Sequence, residues 1–492
     1  MKNDFNKLRR FWKKEYIILI IILFLGLFLR VYCLNNESLW LDEGFSVRIS
    51  KQNISQIVEE ATLYEHPPLY YFILHYWINF FGDSEFSTRF LSVIFGFLTI
   101  IMIYVVGSLI FDIEVGILGS ILLGISLFHV QYAQEVRSYT LMSLLTLLSM
   151  YFLIKFTEKN DFKISAGYVF SSGALIYTHI FGLFIIIAQN IYILICFKNK
   201  SSLLKKWFLL QVMTGILFIP WSRILISNIL EKESVSGYWI PKPSISSLTV
   251  LFTNYSGYYN FMGINFLLIS FLVLSLYYIV RVRNETNNSK ILLSLWLLIP
   301  IILPLIISMV STPIFNPIYT TKYTIGASIA FYLLVAKGIK SINYKYLRLF
   351  AISIIIIFSY VGVWGYYNEI NKEQWRDLVN YVDTKAQKGD LLLFNDGYIQ
   401  ENGFDYYSKR IDLVKKPFPV IIYNFSSVVD EKNMKELKSV VNDYNRVWLI
   451  KRSSSSDRKG LIRKTLEESY IMSYSKNYVG IEVYLFEKNG KK

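Results

Sequence analysis

The chain has 492 residues, 53% hydrophobic and only 18% charged, with a mean hydropathy of +0.38. Soluble domains carry about 25% charged residues, so a cytosolic enzyme is disfavoured, and two cysteines support neither a disulfide framework nor a four-ligand zinc site. The net charge of +15 would suit nucleic acid, anionic lipid or the inner loops of a polytopic membrane protein, and the apolar composition selects the last, with no nucleic-acid partner.

Apolar runs near the ~20 residues needed to cross a bilayer recur along the first three quarters of the chain. The first, Tyr16–Leu34, follows Lys7, Arg9, Arg10, Lys13 and Lys14 and lacks a small-x-small cleavage site. It reads as a retained anchor with the N-terminus inside. Further runs lie at 86–110, 114–130, 139–155, 164–178, 180–197, 207–229, 263–280, 291–310, 319–336 and 348–366. The segment 68–81 between the first two has only 14 residues, so it is expected in the outer interface. That choice leaves about eleven spans. It keeps Lys198, Lys200, Lys205, Lys206, Arg281, Arg283 and Lys290 inside and puts the C-terminus outside. Cys33 and Cys196 then fall near opposite faces and cannot pair.

After Gly365 the texture turns polar. Helix is expected over Gln374–Lys388 and Val429–Val440. Strand is expected over Leu391–Phe394, Val420–Tyr423, Arg446–Ile450 and Gly480–Glu487, with Ser453–Ser456 as a loop. The expected architecture is therefore a polytopic α-helical membrane domain, residues 1–366, followed by a small extracytoplasmic α/β domain, residues 367–492. No glycine-rich phosphate fingerprint occurs in the latter.

Chemistry-bearing residues concentrate in the outer segments. In the first loop, Asp42 and Glu43 follow Trp40. Adjacent carboxylates at a membrane surface need solvent, a partner or a metal. Asp42 reads either as a general base or, with Glu43, as a helix-start pair complementing the dipole. His66 stands before Pro67 and Pro68, which stiffen the entry to the next helix. Arg89 opens the second span, where it holds a lipid phosphate, snorkels or pairs with Glu85. Glu135 and Arg137 lie in the second outer loop, as a metal ligand or acceptor anchor and a phosphate binder respectively, or as a structural pair. All four histidines, His66, His75, His129 and His179, are expected near the outer face, without HxxxH or HExxH spacing. Tyr238, Trp239, Tyr255, Tyr258 and Tyr259 form an aromatic segment for sugar stacking or lipid anchoring. Lys322 and Tyr323 begin a late span, where a lysine neutralises phosphate or snorkels.

Leu39-Trp40-Leu41-Asp42-Glu43, His66-Pro67-Pro68-Leu69-Tyr70-Tyr71, Arg89-Phe90-Leu91-Ser92 and Tyr132-Ala133-Gln134-Glu135-Val136-Arg137-Ser138-Tyr139 occur in this order. Together they resemble the family-39-like enzymes of the GT-C superfamily, similar to dolichyl-phosphate-mannose protein mannosyltransferases and bacterial aminoarabinose transferases. The likeness is dense over 15–200 and looser to about 340. It implies a GT-C-like fold and a polyprenyl-phosphate-sugar donor. It also implies inverting transfer of a hexosyl or pentosyl group, outside the membrane, to a protein, lipid or cell-surface glycan. Asp42 then matches the catalytic acidic position of the first loop and Glu43 its companion. His66 stands where aminoarabinose transferases carry Lys. Lys322-Tyr323 replaces the usual Arg-Tyr, which keeps charge but loses bidentate binding. A divalent cation is left open, with Asp42 and Glu135 as candidate ligands.

Physical logic runs the same way. Charge grows on the departing phosphate, which Arg89, Arg137 and Lys322 would stabilise, while Asp42 deprotonates the acceptor. A flippase of lipid-linked sugars is the alternative, although such proteins show repeated halves and mid-membrane polar residues. A scaffold using the C-terminal domain as a binding module is a third reading. The assigned topology predicts that a cysteine placed at Glu285 is blocked from an impermeant thiol reagent in intact cells. Ready labelling there would overturn the parity.

Overall fold

The structure, a computed structural model, describes residues 2–159, 161–231, 240–257, 269, 272, 273, 276, 287–310, 316–418, 433–452, 457 and 460–489. They form two compact units. The first comprises Met1–Tyr32, Val58–Trp77 and Thr88–Asn368, and the second Cys33–Ile57, Ile78–Ser87 and Glu369–Lys492. Two stretches of the first loop thus join the expected C-terminal domain.

The chain opens with α1 (Lys2–Val31), α2 (Leu41–Ser50), α3 (Ile54–Leu63), α4 (Leu69–Phe81) and α5 (Glu85–Ile110). There follow α6 (Ile113–Ile125), α7 (Leu127–Ala133), α8 (Tyr139–Glu158), α9 (Phe162–Thr178), α10 (Gly182–Cys196) and α11 (Ser201–Glu231). After α12 (Ser246–Ser256) come α13 (Asn287–Val310), α14 (Ile325–Lys340) and α15 (Lys345–Asn368). The 13 residues of α4 reach about 20 Å, short of the ~30 Å hydrocarbon core.

Among the described residues five helices are long and apolar enough to cross a membrane, six if α6 and α7, bent by 60°, make one span. That is fewer than the eleven expected. Helices occur at the other expected runs, but α9, α10 and α14 have only 17, 15 and 16 residues. The run 263–280 lies outside the described residues apart from isolated positions. In α14 every residue from Ile325 to Ile339 is buried, so it is a central helix of the first unit. Conversely, Phe24 of α1 and Phe208 of α11 are 74% and 70% exposed, a surface that suits lipid.

The break at Ser126 between α6 and α7 has a specific partner. A chain interruption frees backbone carbonyls, which are costly to leave unsatisfied in hydrocarbon. Arg30 of α1 is fully buried, and its guanidinium donates to the carbonyls of Gly124 (2.9 Å), Leu123 (3.2 Å) and Gly26 (2.9 Å). Gln134, just beyond α7, donates to the carbonyls of Arg30 (3.2 Å) and Tyr32 (2.7 Å). A second polar cluster joins α8 to α11. Gln189 accepts from Tyr168 (2.7 Å) and donates to Ser149 (2.9 Å), and Gln211 donates to Tyr168 (3.1 Å). Such bonds hold helices together where no hydrophobic force distinguishes protein from lipid.

In the second unit, α16 (Trp375–Lys385), α17 (Asn433–Val441) and α18 (Leu461–Glu467) accompany a five-stranded sheet. Its strands are β1 (Leu391–Phe394), β2 (Val414–Pro417), β3 (Arg446–Arg452), β4 (Tyr470–Tyr478) and β5 (Ile481–Lys488), in the order β2-β1-β3-β5-β4. β1 runs parallel to β2 and β3, while β3–β5 and β5–β4 are antiparallel. All four residues of β1 are buried because the sheet is covered on both faces. Leu392, Phe394, Trp448 and Trp375 pack on one face, and Leu391, Leu393, Leu449 and Leu437 on the other. Leu41 of α2 belongs to the first of these clusters.

Three expected strands match β1, β3 and β5, and the helices match α16 and α17. The strands β2 and β4 were not anticipated, because Val-Lys-Lys-Pro and a nine-residue edge strand buried only at its ends carry no alternating apolar signal. The expected strand Val420–Tyr423, the loop Ser453–Ser456 and the start of the helix from Val429 lie outside the described residues.

The Arg30 arrangement predicts that Arg30→Met, similar in length but without donors, destabilises the protein by about 3 kcal/mol through its orphaned carbonyls. Thermal unfolding of purified protein in detergent measures this. A melting temperature equal to wild type would count against it.

Candidate functional site

The candidate residues fall in both units. Asp42 and Glu43 stand in the first turn of α2, in the second unit. Glu43 is completely buried, and its carboxylate accepts from the backbone N–H of Trp40 (3.3 Å) and from Lys372 Nζ (3.2 Å), itself 7% exposed. This is the reciprocal half of a capping box, reinforced by an ion pair. Asp42 is partly exposed. Its backbone carbonyl accepts from Ser46 Oγ (2.9 Å).

The rest of α2 is held as closely. Glu373 accepts from Leu41 N (3.3 Å), Trp375 Nε1 (2.9 Å) and Arg452 Nε (2.7 Å). Arg48 donates to Asn402 Oδ1 (2.8 Å). A Cβ on Gly44 would lie 1.7 Å from the carbonyl oxygen of Asn402, so only glycine allows this approach. Upstream, Arg376 pairs with Glu85 and donates to the carbonyl of Asn35 (2.9 Å). Tyr407 donates to Glu85 and accepts from Leu39 N (2.7 Å). Burial and the Glu85 charge push the Tyr407 phenol well above its ordinary range, so it is a neutral donor.

The remaining candidates lie in the first unit. Glu65 has a left-handed φ of 55°, an uncommon conformation next to the rigid Pro67-Pro68 pair. His66 Nδ1 lies 2.9 Å from Tyr71 Oη, and the two rings stack. Tyr70 Oη meets Ser92 Oγ (3.1 Å), which also reaches the carbonyl of Arg137 (3.4 Å). Arg89 is buried one turn earlier on α5. Glu135 and Arg137 are buried in the α7–α8 turn, where Arg137 N donates to the Glu135 carbonyl (2.8 Å).

Three segments far apart in sequence meet at Tyr139. The guanidinium of Arg137 and the ammonium of Lys322 each lie 5.9 Å from its ring centroid. Lys322 and Tyr323 belong to a short 3-10 helix, Thr321–Thr324. The Tyr323 ring contacts Tyr139 (6.2 Å), His179 (4.6 Å) and Phe181 (5.3 Å). Tyr255 fixes this 3-10 helix by donating to Thr324 O (2.8 Å) and Oγ1 (2.7 Å). His179, in the α9–α10 turn, is held neutral down to about pH 3, first by desolvation and then by the Arg137 and Lys322 charges.

The structure thus brings Arg137, Lys322 and Tyr323 together, and links His66 and Arg137 through the α4–α5 contact. Asp42 and Glu43 belong to the second unit. Tyr255 is 1% exposed and internal, neither a sugar platform nor a lipid anchor. Tyr238, Trp239, Tyr258 and Tyr259 lie outside the described residues. His129 is also internal, with Nε2 2.8 Å from Ser328 Oγ. Lys372, Glu373 and Asn402 carry no motif and were not anticipated. Only their pairing across more than 300 residues of chain gives them meaning. Among the described residues, no group of three or more His, Cys, Asp or Glu is arranged to hold a metal ion.

Residues 65–224 match the sequence model of a family described as dolichyl-phosphate-mannose-protein mannosyltransferase. That range includes His66, Arg89, Glu135, Arg137 and His179. No curated protein sequence matches the chain. Among solved structures, the chain is similar to ArnT from Cupriavidus metallidurans, in the apo state and bound to undecaprenyl phosphate. Each has a TM-score of 0.64 at 11% identity, covering 95% of this chain and 97% of that one. It is also similar to the oligosaccharyltransferase of Archaeoglobus fulgidus in the apo form, with a TM-score of 0.59 at 11% identity over 97% of this chain and 75% of that one. The architecture is that of the GT-C glycosyltransferases, helical membrane proteins, here with a small C-terminal sheet domain.

The depressed His179 has a consequence for acid stability. An unfolded histidine takes up its proton near pH 6.5, whereas the folded one stays neutral to about 3. Its stabilising contribution is therefore complete above pH 6.5 and declines as pH falls towards 3. His179 as a residue is only partly buried, so solvent trims the effect to about 1 kcal/mol between pH 6.5 and 5. His179→Gln should lose less melting temperature than wild type on that acidification. Equal losses would contradict the assignment.

Proposed function

We propose that the protein is an inverting glycosyltransferase that moves a hexosyl or pentosyl group from a polyprenyl-phosphate donor. The acceptor is a protein, lipid or cell-surface glycan on the outer face of the membrane. The observation that carries this reading is the convergence of Arg137 and Lys322 on the Tyr139 ring. Two cations drawn from distant segments and held beside neutral rings form a site for an anion, and a phosphate at a membrane surface is the fitting one. ArnT, of similar fold, was crystallised with undecaprenyl phosphate, which supports a lipid-phosphate donor here. An archaeal oligosaccharyltransferase of similar fold was solved with an inhibitory peptide and a dolichol-phosphate, which agrees with that class of donor.

In this reading Arg137 and Lys322 neutralise charge that builds on the phosphate as the sugar C1–O bond breaks. Arg89 adds a third cation for the phosphate and Glu135 positions the acceptor, while His66, Tyr323 and membrane lipids complete the donor's surroundings. Asp42 takes the proton of the acceptor as its heteroatom bonds to C1 from the side opposite the phosphate, which inverts the anomeric centre. Glu43 is its companion on α2. Every electron pair is accounted for: one C1 bond forms, one breaks, the acceptor proton passes to Asp42, and polyprenyl phosphate departs. The C-terminal unit is taken as extracytoplasmic, in the cell envelope.

The test is release of undecaprenyl phosphate by the purified protein from a panel of undecaprenyl-phosphate-linked hexoses and pentoses, with a membrane fraction as acceptor. Asp42→Asn should lower turnover about 10³-fold, within the range for a removed general base. Arg137→Gln should lower kcat/KM about 10²-fold. Wild-type-like turnover by Asp42→Asn would remove Asp42 from its role, and no release from any donor would overturn the reading.

A further inference from the structure

We propose that Lys372 and Glu373 are positioning residues for Asp42, so that the segment entering the C-terminal sheet domain sets the geometry of the reaction. The inference rests on the reading of Asp42 as the base.

Three residues that neighbour Asp42 in the first turn of α2 are held. Leu41 N donates to Glu373 (3.3 Å), Glu43 is paired with Lys372 (3.2 Å), and Gly44 lies against the Asn402 carbonyl with no room for a Cβ. Lys372 and Glu373 are consecutive, so one short stretch of chain grips α2 on both sides of residue 42, by a backbone N–H and by a carboxylate. Glu373 is anchored in turn by Trp375 Nε1 (2.9 Å) and by Arg452 of β3 (2.7 Å). The grip is thereby tied to a central strand rather than to a loop. Asp42 itself keeps partial exposure, as a group must that meets an acceptor.

Buried charge of this kind is a poor way to gain stability, since desolvation opposes the Coulomb attraction, and an apolar pair of similar volume does as well or better. What a buried ion pair adds is direction. Its oppositely charged ends accept one geometry, and a carboxylate base works only when held near its target, where a 1 Å displacement costs about 10²-fold in rate.

The test is kinetic and uses the full-length protein in detergent, with whichever undecaprenyl-phosphate sugar of the panel the wild type turns over. In Glu43→Gln/Lys372→Met both charges are gone and no unpaired ion is left behind, so folding is retained. The expected result is a kcat lower by about 10²-fold with donor KM within about 3-fold of wild type. Lys372→Arg, which keeps the cation, should recover to within about 10-fold of wild type. Should the double variant misfold, Glu373→Gln carries the test, with kcat falling about 10-fold at unchanged donor KM. A folded double variant with wild-type kcat, or a loss confined to donor KM, overturns the positioning role. Asp42→Asn run alongside separates the two claims. If it is inactive while the double variant is normal, only the positioning inference falls. If it retains wild-type turnover, the role of Asp42 fails and the inference falls with it.

Discussion

A carboxylate with no exposure, such as Glu43, stays charged only if a cation and further donors replace the water it has lost. Lys372 and the Trp40 N–H supply them. Around that pair the second unit is organised. Leu41 enters the same apolar cluster as Trp375 and Trp448, Gly44 closes on Asn402, and Arg376 with Tyr407 ties Glu85 to the start of the loop. The stretch Cys33–Ile57 of the first loop is therefore a built part of a folded sheet domain. Its geometry does not depend on the loop's own helix propensity, since ten-residue helices are marginal alone.

The first unit obeys a different constraint, the need to satisfy backbone groups where water is scarce. Arg30 meets the carbonyls exposed by the α6–α7 break, and Ser126 Oγ meets Tyr332 Oη (2.7 Å), whose hydroxyl donates to the Tyr255 carbonyl (2.9 Å). Tyr255 then holds the 3-10 helix that carries Lys322. The chain of bonds runs from the broken helix to the cation cluster. The same polar groups that make the bend tolerable also fix the late segment against Tyr139.

Much of this was legible in the linear chain. Apolar runs located the helices because a 20-residue hydrophobic stretch has few other uses, and the short run at 68–81 announced a helix too brief to span. The strands β1, β3 and β5 were visible because they are central and rich in apolar residues. β2 and β4 were not, since edge strands answer to pairing partners rather than to an apolar face. Tyr255 looked like a surface aromatic and proved internal, because a phenol can be buried wherever a carbonyl awaits it.

Residue type and order were enough to mark Asp42, Arg137 and Lys322 as chemistry-bearing, since charges beside apolar runs are costly unless they serve a purpose. They also settled the broad class, a helical membrane protein with a small α/β appendage. Only the tertiary structure decided which charges meet. Lys322 comes to Arg137 across one ring although the two are far apart in sequence, and Lys372 reaches Glu43 across 329 positions. Ion pairs and ring contacts have no sequence period. Their partners are selected by folding, when burial makes each charge find its complement.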